Sequence, residues 1–154
     1  MHLVIAGPCA DEDYLQSLKD QALNFESKIA NHIIWTGMLK DELKWGACHV
    51  ADAFILPSHQ ENFGIAVVEA LATATPVLIS NKVNIWREID EDKAGYIEAD
   101  TLEGCKLLIR RWLETNSEKW DAIKKNAQLC FSRRFAVDLA AQSLVNVLQS
   151  SNPG

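Results

Sequence analysis

The chain has 154 residues, of which 48% are hydrophobic and 23% charged, and its formal net charge is -6. This length is enough for one domain with a core, and the apolar content excludes a disordered chain. The negative charge argues against nucleic acid as the main partner. No apolar run is long enough to cross a membrane, and the N-terminus lacks the basic and apolar regions of a signal peptide.

Strands and helices alternate in the first half of the chain. The predicted strands cover residues 2–6, 32–35 and 53–56, and the predicted helices run from the capping Asp11 to about Lys28 and from 40 to 50. The residues expected to face inward are Tyr14, Leu15, Leu18, Ala22 and Phe25 in the first helix and Leu43, Ala47 and Val50 in the second.

The second half continues the alternation. Strands are predicted at 76–80 and 95–98, a helical turn at 84–89, and helices from about Leu102, from Ser117 and over 136–149. Asp100 and Glu103 have the spacing of a capping box. The pattern indicates an α/β fold, in which a Rossmann-like parallel sheet is flanked by helices on both faces. Residues 1–149 are assigned to one domain, and 150–154 to a loose tail.

Other chemistries find no support in the sequence. It contains no GxGxxG, GxxxxGK[ST], GxSxG or HExxH motif, which removes the dinucleotide oxidoreductase, P-loop, serine hydrolase and zinc protease interpretations. The four cysteines are Cys9, Cys48, Cys105 and Cys130. They form no CxxC pair, so we expect reduced thiols packed as small apolar groups.

Two carboxylates flank the start of the most apolar helical segment. Glu61 lies in the loop after the third strand, and Glu69 lies within a helix that is apolar on every side and is therefore expected in the interior. Ligands of open α/β sheets bind at the carboxyl ends of strands. The amides of residues 62–64 are expected to be free donors at the helix N-terminus, which suits phosphate.

The stretch Leu56-Pro57-Ser58-x2-Glu61-x-Phe63-Gly64-Ile65-x3-Glu69-Ala70-Leu71-Ala72 resembles the EX7E signature of retaining GT-B glycosyltransferases (glycosyl transferases group 1). The resemblance extends over roughly residues 3–115, with Leu3-Val4-Ile5-Ala6-Gly7 matching a strand of the family. It implies the C-terminal, sugar-donor-binding half of a GT-B fold. The reaction implied is transfer of a sugar from a nucleoside diphosphate sugar to a hydroxyl of an acceptor glycan or lipid-linked sugar, with retained configuration.

The resemblance also assigns site residues. Glu61 corresponds to the catalytic glutamate beside the donor sugar, and Glu69 to the carboxylate that binds the ribose hydroxyls. The implied contacts to the sugar donor come from Ser58, Asn62, Phe63, Gly64 and Ile65, and the loop at the nucleotide base is Gly37, Met38 and Leu39, preceded by Thr36. A UDP-sugar is the first expectation, with no cofactor and no metal, since an Asp-x-Asp motif is absent.

Three departures from the family matter. An initial strand with its basic loop and the whole acceptor domain have no counterpart here, and Ala74 replaces a usual glycine. The missing strand would lie between the strands of Ile5 and Ile55, which leaves unpaired sheet edges. We therefore expect a fragment of an enzyme of roughly 350 to 400 residues. The absent segment or an oligomer would complete it, and the fragment alone would be inactive.

Alternatives remain open at this stage. Glu69 is also compatible with a buried ion pair, Glu61 with a solvated loop residue, Ser58 with turn chemistry, and His59 with an exposed loop side chain. The chain as a whole is also compatible with a non-catalytic nucleotide-binding module or part of a GT-B nucleotide-sugar epimerase. The family's usual setting implies polysaccharide or glycoconjugate synthesis in the cytoplasm, or at the inner membrane face through regions outside this chain.

Overall fold

The computed structural model describes residues 1–150, except for the side chains of Ser27, Lys28, Ala140, Ser143, Leu144 and Ser150. The tail expected at 150–154 therefore lies outside the described residues, apart from Ser150, which ends the last helix. The chain forms two compact units, one over Met1–Lys44 and one that begins at Trp45. The assignment of residues 1–149 to one domain stays a prediction.

The first unit pairs two parallel strands. These are β1 (Leu3–Ala6) and β2 (Ile33–Gly37), and between them come α1 (Glu12–Leu23) and α2 (Ser27–Ala30). The predicted cap is confirmed, because the Asp11 carboxylate accepts from the Tyr14 amide at 2.8 Å. The predicted length of the helix is wrong, since α1 ends before Asn24, whose amide bonds back to Gln21 and Ala22.

Several side chains expected inward are exposed. All of β1 is exposed, so the prediction of a sheet covered on both faces is wrong for this strand. In α3 (Asp41–Val50), Leu43 is 72% and Val50 81% exposed. Tyr14 and Phe25 are exposed as well. Periodicity identifies the apolar face of an element, whereas burial also needs a partner to pack against it.

The second unit is built on a three-stranded parallel sheet with β4 at its centre. Its strands are β3 (Phe54–Leu56), β4 (Val77–Ser80) and β5 (Gly95–Glu98), and its further helices are α4 (Ile65–Ala72), α5 (Trp86–Glu91), α6 (Leu102–Leu113), α7 (Ser117–Cys130), the π-helix Phe131–Phe135 and α8 (Val137–Ser150). Every residue of β4 is buried. No helix within residues 1–150 combines the length and apolarity needed to cross a bilayer.

Apolar residues pack on both faces of this sheet. Val77 and Ile79 join a cluster with Val67 and Leu71 of α4, which also includes Ala127 and Cys130 of α7. Leu78 and Tyr96 join another with Leu108 of α6 and Ile123 of α7. Because successive strand residues point to opposite faces, β4 supplies both clusters in turn. The covered sheet predicted from the alternating elements is thus confirmed in this unit.

Within residues 1–150 the strands form two sheets, in the orders β1-β2 and β3-β4-β5. One edge of β1 and one edge of β3 have no strand partner among the described residues. A parallel strand of apolar residues is normally buried on both faces, and an open edge presents unpaired amides and carbonyls.

The start of α6 differs from the prediction. Asp100 does not cap the helix; Thr101 does, through a 3.1 Å bond from the Gly104 amide to its hydroxyl. Both residues precede the same apolar-periodic run, and the sequence pattern did not separate them.

Arg134 ties the π-helix to the end of α5. Its guanidinium donates to the Asp92 carboxylate at 2.7 Å and to Glu91 at 2.9 Å. The Arg134 hydrogen bond lowers the pKa of Asp92 below its ordinary value, against the opposing effect of burial. Burial and the nearby Asp92 raise the pKa of the Cys130 thiol to about 12, so it stays neutral.

The ion pair between Asp92 and Arg134 predicts that the stability of the fold depends on pH. Since the pKa of Asp92 is lower in the folded chain than in the unfolded one, its stabilising effect is present above the unfolded pKa. The effect is lost as pH falls through the folded pKa. We expect the free energy of unfolding of the Asp92→Asn variant to fall less steeply than wild type between about pH 5 and about pH 2. Urea titrations across that range measure the difference, and parallel curves would contradict it.

Candidate functional site

Hydrogen bonds hold the loop after β3, here called the fastened loop, against the end of β4 and the residues that follow it. The Ser80 hydroxyl, fully buried, donates to the Ser58 carbonyl. The Glu61 amide donates to the Lys82 carbonyl at 3.2 Å, and the Asn84 amide donates to the Glu61 carbonyl at 3.2 Å. These bonds hold the backbone of Glu61 at the carboxyl edge of the three-stranded sheet, where α/β proteins bind ligands.

Gly64 makes the turn from this loop into α4. It has φ +73°, a left-handed conformation that glycine adopts without the strain of a side chain. A Cβ at this position would lie 3.0 Å from Val83 Cγ1. The Gly64 amide donates to Glu61 Oε1 at 3.3 Å, so the prediction that this amide is a free donor is wrong.

The backbone amides that remain available to a phosphate are therefore those that follow Gly64 in the chain. In the described chain, the amides of Ile65 and Ala66, the first two residues of α4, donate to no acceptor. Amides in the first turn of a helix point outward along its axis and carry partial positive charge. They are suited to an anion.

Glu61 and Glu69 are both half-buried. Glu69 lies in the middle of α4 and is engaged in an interaction within the structure. The helix around it is only partly interior. Val67, Ala70 and Leu71 are buried, but Ile65 is 66% exposed, so the prediction of an all-round buried helix is wrong at its N-terminal turn. That turn is open to solvent beside the two carboxylates.

Phe63 and Asn62 of the same loop also contact neighbouring side chains. The Phe63 ring meets Phe135 of the π-helix edge to face, with 6.1 Å between ring centroids. Asn84 donates its side-chain amide to the Asn62 side chain at 3.5 Å. Phe63 therefore links the loop to the π-helix that Arg134 holds in place.

The residues predicted at the nucleotide base lie in the first unit. Gly37 ends β2 with φ +65°, and its carbonyl accepts from the Gly7 amide at 2.9 Å. Met38 is exposed and Leu39 half-buried. The role of this segment in base binding stays a prediction.

Sequence reasoning missed the residues that fix the loop. Ser80 ends β4, Lys82 and Asn84 follow it, and no local motif singles them out. The one available signal is Ser80 itself, a polar residue that ends an otherwise apolar strand. No local pattern predicts the contact between His59 and Asp100, which lie far apart in the chain.

Two surface cavities lie away from the candidate site. These shallow cavities have volumes of about 430 and 260 Å³, the first beside Lys106 and Arg110 on α6 and the second beside Tyr96 and Lys119. Neither is lined by Glu61 or Glu69.

The family described as Glycosyl transferases group 1 matches residues 1–129. The glycogen synthase of Mycobacterium tuberculosis (strain CDC 1551 / Oshkosh) is 37% identical over 95 residues, which make up 60% of this chain and 21% of that protein. The chain thus spans about a fifth of the length of the curated relatives it matches.

Solved structures share the fold. The sucrose-phosphate synthase of Thermosynechococcus elongatus matches with a TM-score of 0.76 and 19% identity, over 98% of this chain and 39% of that one. WaaG, a glycosyltransferase involved in lipopolysaccharide biosynthesis, matches with a TM-score of 0.70 and 20% identity, over 87% of this chain and 34% of that one. The predicted α/β class, with parallel sheets flanked by helices as in GT-B glycosyltransferases, is confirmed.

Proposed function

The chain belongs to the glycosyl transferases group 1 family, and we propose that it is the part of a retaining glycosyltransferase that binds the nucleoside diphosphate sugar. The observation that carries the proposal is the fastened loop between β3 and α4. It places Glu61, the left-handed Gly64 and the outward amides of α4 at one edge of a parallel sheet. This arrangement combines carboxylates for sugar hydroxyls with amides for phosphate.

The diphosphate is assigned to the start of α4. The amides of Ile65 and Ala66 supply hydrogen bonds, and the helix dipole favours the negative charge. Gly64 contributes through its left-handed conformation, which turns the chain so that these amides start the helix at the edge of the sheet. The leaving diphosphate of sugar transfer gains charge in the transition state, so donors fixed in advance would stabilise it.

The two carboxylates have different roles. Glu69 accepts from both hydroxyls of the ribose diol, for which a single carboxylate has enough lone pairs. Glu61 lies beside the transferred sugar, where its charge supports the oxocarbenium character of the transition state. Its bond from the Gly64 amide fixes the direction of the carboxylate. No divalent cation is required in this scheme, and a UDP-sugar is the first candidate substrate.

The acceptor side of the reaction is assigned to protein outside this chain. The support is the coverage of about a fifth of the relatives' length, together with the open edges of β1 and β3. A strand from the rest of a longer enzyme, or from an associating copy, would pair with an open edge of this kind. The names of the relatives favour polysaccharide or glycoconjugate synthesis as the setting.

The first experiment is a calorimetric titration of the purified chain with UDP, GDP and ADP. Selective binding of one nucleotide supports the proposal and identifies the base. If none of the three binds at millimolar concentration, the chain does not hold a complete nucleotide site, and the proposal fails for the isolated chain.

The proposal also predicts that the isolated chain is inactive. Because the acceptor must be held against the donor sugar for transfer, binding of the donor alone gives no glycosidic bond. We expect no product from UDP-glucose, UDP-N-acetylglucosamine or GDP-mannose with an oligosaccharide acceptor, measured by mass spectrometry. Appreciable transfer would show that the acceptor site lies within these residues.

A further inference from the structure

A histidine and an aspartate meet at the edge of the sheet that carries Glu61. His59 Nδ1 lies 3.2 Å from Asp100 Oδ2, and the two residues follow β3 and β5. The His59 side chain is 85% exposed, whereas that of Asp100 is 25% exposed. The ring is thus held at one nitrogen and open to solvent elsewhere.

The contact is not needed to hold the loop. The Ser80 hydroxyl donates to the Ser58 carbonyl, and the backbone of Glu61 bonds to Lys82 and Asn84, which both follow β4. With the backbone fixed in this way, the bond to Asp100 acts on the side chain of His59. Its consequence is a fixed orientation of the ring.

Asp100 also determines which ring nitrogen carries the hydrogen. The His59 hydrogen bond is the largest cause that lowers the pKa of Asp100, and the charge of Lys82 acts in the same direction. An ionised carboxylate only accepts, so Nδ1 must donate to it. In the neutral ring the exposed Nε2 is then a hydrogen-bond acceptor.

We propose that His59, oriented by Asp100, binds a hydroxyl group of the transferred sugar through Nε2. An acceptor nitrogen suits a hydroxyl, which can donate, and does not suit a phosphate oxygen, which only accepts. The position agrees with this, since His59 lies two residues before Glu61 on the same fastened loop. The inference rests on the proposed function and adds to it a residue that distinguishes the sugar from the diphosphate. Asp100 is a positioning residue, which acts through His59.

The first test is the tautomer of His59, read from the ¹⁵N shifts of its ring in the 154-residue chain. We expect neutral His59 to carry its hydrogen on Nδ1, and the Asp100→Ala variant to lose that preference. The signal is assigned with the His59→Gln variant. A neutral ring with its hydrogen on Nε2 in the wild-type chain would overturn the inference, because the free nitrogen would then donate.

The second test compares a nucleotide with its sugar conjugates. Wild type and His59→Phe are titrated with the nucleotide that binds among UDP, GDP and ADP, and with its glucose, galactose, mannose and N-acetylglucosamine conjugates. Loss of one neutral hydrogen bond should weaken at least one sugar conjugate by about 3- to 10-fold, with no change for the nucleotide alone. His59→Gln should recover part of the loss, since its amide oxygen also accepts.

The control is His49→Phe, which changes another exposed histidine of the same unit. Equal loss for nucleotide and conjugates, or no loss for any conjugate, overturns the role of His59 and leaves the nucleotide site standing. Absence of all nucleotide binding by the wild-type chain is a failure of the proposed function and removes this inference with it.

Discussion

Replacing Glu69 by alanine is expected to weaken binding of the selected nucleoside diphosphate by about 100-fold. In the proposed site this carboxylate accepts from both ribose hydroxyls. Each charge-assisted hydrogen bond contributes about 1.5 kcal/mol, and the loss of two corresponds to roughly that factor in the dissociation constant. Calorimetry on the wild type and the variant measures the change.

The control variant is Glu103→Ala. Glu103 is an exposed carboxylate on α6, 2.7 Å from Lys106, and it lies outside the proposed site. Since Glu69 is half-buried and has a partner in the structure, the unfolding of each variant is followed by circular dichroism alongside. Unchanged affinity in a folded Glu69→Ala variant would exclude the ribose role.

Replacing Gly95 by alanine is expected to lower the free energy of unfolding by about 3 kcal/mol, at the upper end of what overpacking usually costs. Gly95 begins β5 and pairs with Val77 of β4. A Cβ at Gly95 would lie 1.8 Å from the Val77 carbonyl oxygen and 2.9 Å from its nitrogen. These are backbone atoms of the central strand and have no rotamer through which to move away.

Gly46→Ala is the matched control. A Cβ there meets no atom within 4 Å, and the residue lies inside α3. Alanine in a helix interior is better than glycine by about 1 kcal/mol, so this variant should be as stable as wild type or slightly more so. Urea denaturation of both variants gives the comparison. Similar stability of the two alanine variants would show that the approach of β5 to β4 is not as close as described.

The sequence predicted the strand, loop and helix around Glu61 because their signals are local. An apolar run that ends at Pro57, a glycine at 64 and an apolar helix each depend on neighbouring residues. The contacts that fix the loop depend on topology. Lys82 meets Glu61, and Asp100 meets His59, only because β4 and β5 lie beside β3. No pattern in the sequence records that adjacency.

The core residues show the same difference between what local spacing predicts and what depends on the rest of the fold. In the second unit, Ile123 and Ala127 are buried as their helical spacing predicts. Leu43 and Val50 have the same kind of spacing and are exposed. Spacing gives the orientation of a side chain on its own helix, and the presence of a packing partner has to come from elsewhere in the fold.

The most direct test of the central claim is to map nucleotide binding onto the chain. The amide signals of the ¹⁵N-labelled 154-residue protein are followed by NMR during titration with the nucleotide selected by calorimetry. We expect the largest shifts in residues 61–69, led by the amides of Ile65 and Ala66. Shifts centred on residues 106–119, with residues 61–69 unmoved, would place the nucleotide on the surface of α6 and contradict the assignment of the site.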